Sequence, residues 1–128
     1  MSLTKIEALR AYARMMNTLD VIHIESLLAD DFHYASQWVF AEITSRQAFM
    51  DYIEPKLVSI ATSGTRAFAE IAELKTYPGG PCVVMAQGSK DNLLATVLAE
   101  VEGGNIKRLD MCLIPPPSAA TRTGEYPA

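Results

Sequence analysis

Apolar residues recur at helical spacing from the start of the chain, where Ile6, Leu9, Ala13 and Met16 form a stripe with Tyr12 on its edge. Thr4 followed by Glu7 has the spacing of a capping box, which satisfies two free backbone N–H groups at a helix start. Asn17 and the Thr18-Leu19-Asp20 stretch end that helix. Asp20 then caps a short second helix carrying Val21, Ile24, Leu27 and Leu28. After a turn at Asp30-Asp31 the pattern changes. Phe32-His33-Tyr34-Ala35-Ser36 and Trp38-Val39-Phe40 are aromatic and β-branched, and they predict two short strands. Thr44 and Gln47 repeat the capping spacing and predict a third helix, with Phe49, Ile53 and Leu57 facing inward and Pro55 kinking or shortening it before Thr62-Ser63-Gly64.

The remainder has the character of a sheet, with one ambiguous stretch. Arg66 to Lys75 is rich in helix formers, and propensity alone favours a helix there. Tyr77-Pro78-Gly79-Gly80-Pro81 is a turn and Cys82 to Ala86 a strand. Leu93–Glu102 and Ile106–Ile114 are two further strands joined by a tight hairpin at Gly103-Gly104-Asn105. Pro115-Pro116-Pro117 stops the last strand. The small, polar residues beyond it predict a mobile end or a strap over a partner. Helices gathered on one face of a curved sheet make an α+β domain with a conical interior.

A length of 128 residues suits one domain. Hydrophobic residues at 49% and charged residues at 20% give room for a core and one pocket and exclude general disorder. The formal charge of −4 argues against phosphate-backbone binding, and no basic stripe with interleaved aromatics suggests nucleic acid. Cys82 and Cys112 lack CxxC spacing and are expected reduced and buried. With no signal-peptide run and no long apolar segment, the expected location is cytoplasmic, without a membrane partner. His23 and His33 have no ligand-spaced partner, and Gly79-Gly80-Pro81 lacks the strand–loop–helix context of a phosphate cradle. Neither a metal nor a cofactor is implied.

Four local motifs, taken in order, resemble the NTF2-like superfamily, particularly its SnoaL-like and ketosteroid-isomerase-like members. They are Ala11-Tyr12-Ala13-Arg14-Met15-Met16-Asn17, Leu27-Leu28-Ala29-Asp30-Asp31-Phe32, Ser45-Arg46-Gln47-Ala48-Phe49 and Gly103-Gly104-Asn105-Ile106-Lys107-Arg108-Leu109. The resemblance covers roughly residues 4 to 114. It implies a cone-shaped, cystatin-like α+β roll, with three helices from the N-terminal half packed on a curved antiparallel sheet. Residues 1–114 would form this single domain and 115–128 a proline-containing C-terminal tail. The resemblance also implies a long strand over Arg66 to Lys75, and a homodimer in which sheets pack on one another.

Fold does not settle function in this superfamily, so the pocket positions decide. Steroid-isomerase relatives use an aspartate base with an oxyanion hole built from a tyrosine and a protonated aspartic acid. Matched position by position, the tyrosine is Tyr12, the base position is Ser36, and the second acid falls at Thr96 or Val97. A serine without a neighbouring base cannot abstract a carbon-bound proton at a useful rate. The histidine and aspartate of SnoaL-like cyclases fall on Leu109 and Met111, with Asp110 one residue away and so on the opposite sheet face unless a bulge turns it inward. Asp110 is thus either a catalytic group or an outward carboxylate paired with Arg108 or Lys107. Tyr12 is either a hydrogen-bond donor to a developing oxyanion or a core tyrosine. Glu70 and Glu73 are further candidates if they point inward.

Tyr12, Tyr34, Ser36, Trp38, Met85, Leu109 and Met111 are the expected ligand-binding lining, with Phe49, Ile53 and Thr96 beside them. This lining suits a small apolar ligand. It equally suits a packed core. Two functions follow: a small-molecule binding protein or isomerase/cyclase-type enzyme without the usual acids, or a non-catalytic dimeric interaction module using the open sheet face.

Overall fold

A computed structural model describes residues 3–38 and 41–128. Helix α1 spans Lys5–Thr18, and the Thr4–Glu7 box closes its start: Thr4 Oγ1 accepts from the Glu7 N–H at 3.2 Å while Glu7 Oε1 accepts from the Thr4 N–H at 2.9 Å. Asp20 accepts from the Ile22 N–H as expected of a cap. The second helical segment is realised as two single 3-10 turns, Val21–His23 and Glu25–Leu27, because Ile24 between them leaves helical geometry.

Strand β1 covers Leu28–Ser36. Asp30-Asp31, expected as a turn before the strand, lies inside it at a register irregularity, exposed and paired with Arg46 and Lys107. The predicted strand Trp38-Val39-Phe40 falls partly on residues 39 and 40, outside the described residues, and Trp38 itself is in a turn.

Helix α2, Arg46–Ser63, begins one residue later than expected. Ser45 is the cap and accepts from the Ala48 N–H, and Gln47 bonds forward to Asp51 instead of closing a box. Pro55 sits within this helix without ending it.

Residues Ala67–Leu74 form strand β2, so the helical propensity of this stretch is overridden. β2 pairs along its whole length with β3, Gly80–Gln87, and on its other edge with β6, Ala120–Glu125. Hydrogen bonds on both edges outweigh a propensity difference of a few tenths of a kcal/mol per residue. β4, Leu93–Glu102, and β5, Asn105–Cys112, are joined by Gly103 and Gly104, both at positive φ as a two-residue hairpin requires. The six strands lie in the order β1-β5-β4-β3-β2-β6, antiparallel except for the β1–β5 pair.

Both helices cover one face of this sheet. The core between them holds Leu9, Tyr12 and Met15 of α1, Phe32 and Tyr34 of β1, Phe49 of α2, and Val83, Val97 and Leu109 of the sheet.

The expectation of a tail at 115–128 is corrected by β6. After the turn Pro117–Ala119 the chain joins its own sheet, because β2 otherwise has an unpaired edge of N–H and C=O groups. Ala119 and Ala120 also pack on a second apolar cluster, Ala72, Leu74, Cys82 and Val84, on the face away from the helices.

Candidate functional site

The narrow end of the interior is filled with rings. Phe49 contacts Phe32 edge-on at 5.0 Å, Tyr34 at 5.2 Å and Tyr52 at 6.4 Å, measured between ring centroids. Tyr12 and Tyr34 are buried there. Burial, reinforced by the neighbouring Tyr52, pushes both hydroxyls above the ordinary tyrosine value, so each is a neutral group at physiological pH. The Tyr34 hydroxyl points at the Met111 sulfur at 3.9 Å. Ser36, expected to contact a ligand, accepts from the Trp38 N–H at 3.2 Å and so fixes the backbone that presents the indole.

Space opens at the other end. A cavity of about 140 Å³ lies between the C-terminal half of α2 and the inner face of the sheet, walled by Met16, Ile60, Met85, Leu94 and Met111. Trp38, half exposed, and Lys56 also line it. An engineered apolar cavity of about 150 Å³ holds one benzene ring, which sets the scale of a fitting molecule.

Of the expected lining, Trp38, Met85 and Met111 border this cavity, whereas Tyr12, Tyr34, Ser36 and Leu109 are packed deeper or beside it. Phe49 and Ile53 also belong to the packed core. Thr96 must be corrected. It pairs with Val84 and Cys112 and so faces away from the helices, fully buried, with a hydroxyl that finds no partner among the described residues.

Lys56 and Ile60 also line the cavity and lie outside the lining expected from the sequence. Their signal was present, since Phe49, Ile53, Lys56 and Ile60 share one helical face. A lysine on a helix is normally assigned to solvent, however, and its long apolar stem hides its suitability for a pocket wall.

The carboxylates are elsewhere. Asp110 lies on the outer face, gripped by Arg108 Nε at 2.9 and 3.1 Å, and no bulge turns it toward the cavity. Arg108 also binds both oxygens of Glu42, which His33 contacts as well. Hydrogen bonds from Arg108 and then His33 hold the Glu42 carboxyl down at about 2, against an ordinary 4.5. Glu70 is almost fully buried, but β6 uses it completely: it accepts from Arg122 Nε at 2.8 Å, the Gly124 N–H at 2.8 Å and the Tyr126 hydroxyl at 3.1 Å. Glu73 is exposed. Cys82 and Cys112 are free and buried, and burial raises the Cys82 thiol to about 12, leaving it unreactive. Among the described residues no cluster of three metal-ligating side chains occurs, and no helix is long and apolar enough to cross a membrane.

No family model and no curated protein matches this chain. Solved structures do. An NTF2-like protein of unknown function from Cytophaga hutchinsonii is similar at 13% identity over 90% of this chain and 96% of that one, with a TM-score of 0.59. An NTF2-like protein with a cystatin-like fold from Novosphingobium aromaticivorans is 16% identical over 90% and 84%, at 0.57. A protein from Agrobacterium tumefaciens, provisionally named an isomerase of the SnoaL-like family, is 14% identical over 84% and 94%, at 0.56. The chain therefore has the NTF2-like, cystatin-like α+β fold. At these identities the likeness is one of fold.

Proposed function

We propose that this protein binds a small, largely apolar molecule in the cavity at the open end of its cone, without acid–base catalysis by the acids that steroid isomerases and SnoaL-like cyclases use. The cavity itself carries the reading: its apolar wall, with three methionine side chains and an indole, is adaptable and suited to a single ring. The provisional name of the Agrobacterium protein is consistent with a small-molecule role for this fold. Asp110 and Tyr12 are given no catalytic part, since the first lies outside the cone and the second beneath the cavity floor. The homodimer implied by the resemblance would have to use the β1–β5 end of the outer face, because Ala119 and Ala120 already pack on the apolar cluster of β2 and β3.

Methyl NMR of the methionines tests this reading directly. Benzyl alcohol should shift Met16, Met85 and Met111, which line the cavity, and leave Met15 and Met50 in place. Ala95→Leu, which fills the cavity from the β4 wall, should weaken binding ~10-fold while costing no more than about 3 kcal/mol of stability. Absent shifts, or shifts undiminished in Ala95→Leu, would overturn it.

A further inference from the structure

Lys56 is the one charged side chain on the cavity wall among the described residues, and no carboxylate lines the cavity with it. Its ammonium donates to the Tyr52 hydroxyl at 3.1 Å and stands 5.4 Å from the centroid of the same ring. Neither contact neutralises the charge, and Lys56 itself is part of the cavity wall. Arg10, Arg46, Lys107, Arg108 and Arg122 each pair with a carboxylate within 4.0 Å. Lys56, like Lys5, Arg66, Lys75 and Lys90, has no described acid that close, and of these it is the one on the cavity wall. An ammonium has three N–H donors, and Tyr52 takes one. A half-buried cation with spare donors on an apolar wall favours a ligand that brings the missing negative charge.

We infer that the ligand is a small monocarboxylate with one apolar ring, its ring among Met16, Met85, Met111 and Trp38 and its carboxylate on Lys56. This rests on the binding reading above and adds the ligand's charge to it. Size limits the apolar part, since about 140 Å³ takes one ring and not a fused system. Sulfur-to-ring contacts from the methionines favour an aromatic ring over an aliphatic one of equal volume. Lys56 also disfavours amines, whose like charge would meet no compensating acid in the cavity.

The test compares benzoate, benzyl alcohol and benzylamine at neutral pH and one ionic strength, following the methionine methyl resonances of the full chain. Benzoate should bind about tenfold more tightly than benzyl alcohol, the value of one charge-assisted hydrogen bond at a half-open site, and benzylamine most weakly. Lys56→Met should bring benzoate and benzyl alcohol together, and Lys56→Arg should keep benzoate ahead. Equal affinities for benzoate and benzyl alcohol in the unaltered chain, with both shifting the cavity methionines, would overturn the charge assignment and leave the binding reading standing. Should neither compound shift those methionines, both would fall. A benzoate preference that survives Lys56→Met would also overturn the inference, by placing the responsible charge elsewhere.

Discussion

The two faces of the sheet divide the chemistry of this protein unevenly. The inner face, under the helices, holds rings, methionines and neutral hydroxyls, and among the described residues Lys56 of α2 brings the one charge to the cavity at its open end. The outer face and the β2 edge hold the tight charged networks, Glu42–His33–Arg108–Asp110 and Glu70–Arg122–Tyr126. Glu42, Glu70 and Asp110 are thus engaged as clasps between strands and loops, and the interior is left apolar. A general base must lie within reach of the substrate, and Glu70 and Asp110 lie on the outer face with both oxygens of each already accepting hydrogen bonds.

This division can be tested by removing a member from each side. Phe49→Ala should have the largest effect, lowering stability by about 4 kcal/mol in chemical denaturation, since its ring is fully buried and touches three others. Glu70→Ala should cost less, about 2 kcal/mol, because Arg122 stays partly solvated and keeps Asp91 as a partner. A loss as large as that of Phe49→Ala would show that the β6 clasp matters as much as the ring cluster. The smallest effect belongs to Glu42. Its folded carboxyl lies at about 2 against an ordinary 4.5, so it stabilises the fold above pH 4.5 and loses that contribution as pH falls toward about 2. The stability difference between the unaltered chain and Glu42→Gln should therefore shrink across that window and vanish below it. A difference that stays constant would place the role of Glu42 in packing.

Local chemistry was readable in the sequence where the cause was local. The Thr4–Glu7 box, the Asp20 cap and the Gly103-Gly104 hairpin each depend on residues within a few positions of one another. Side-chain parity likewise foretold that Asp110 turns away from Met111 where the register of β5 is regular, as it is from Arg108 to Cys112. Long-range pairing was less visible. Residues 67–74 show helix-forming composition, and only their partners on both edges make them a strand. β6 has almost no apolar pattern to announce it, because its anchor is the contact of Arg122 and Gly124 with Glu70, 52 and 54 residues earlier. The inward-facing set was legible, and Trp38, Met85 and Met111 of it border the cavity, but which of its members are packed and which face open space was not. Periodicity identifies which residues face inward but not how far the rings of Tyr12, Phe49 and Tyr34 fill the space between them.

Strand β6 has a consequence for the order in which the molecule can be completed. Chains emerge from synthesis at about 5–20 residues per second, so β2 is exposed for several seconds before residues 120–125 exist to pair with it. During that interval Glu70 is without Arg122, and Arg10 without Glu125, its partner 115 positions along the chain. The nascent protein therefore carries an open β2 edge while about the last third of the chain is made, and that edge is a place where two unfinished copies can adhere.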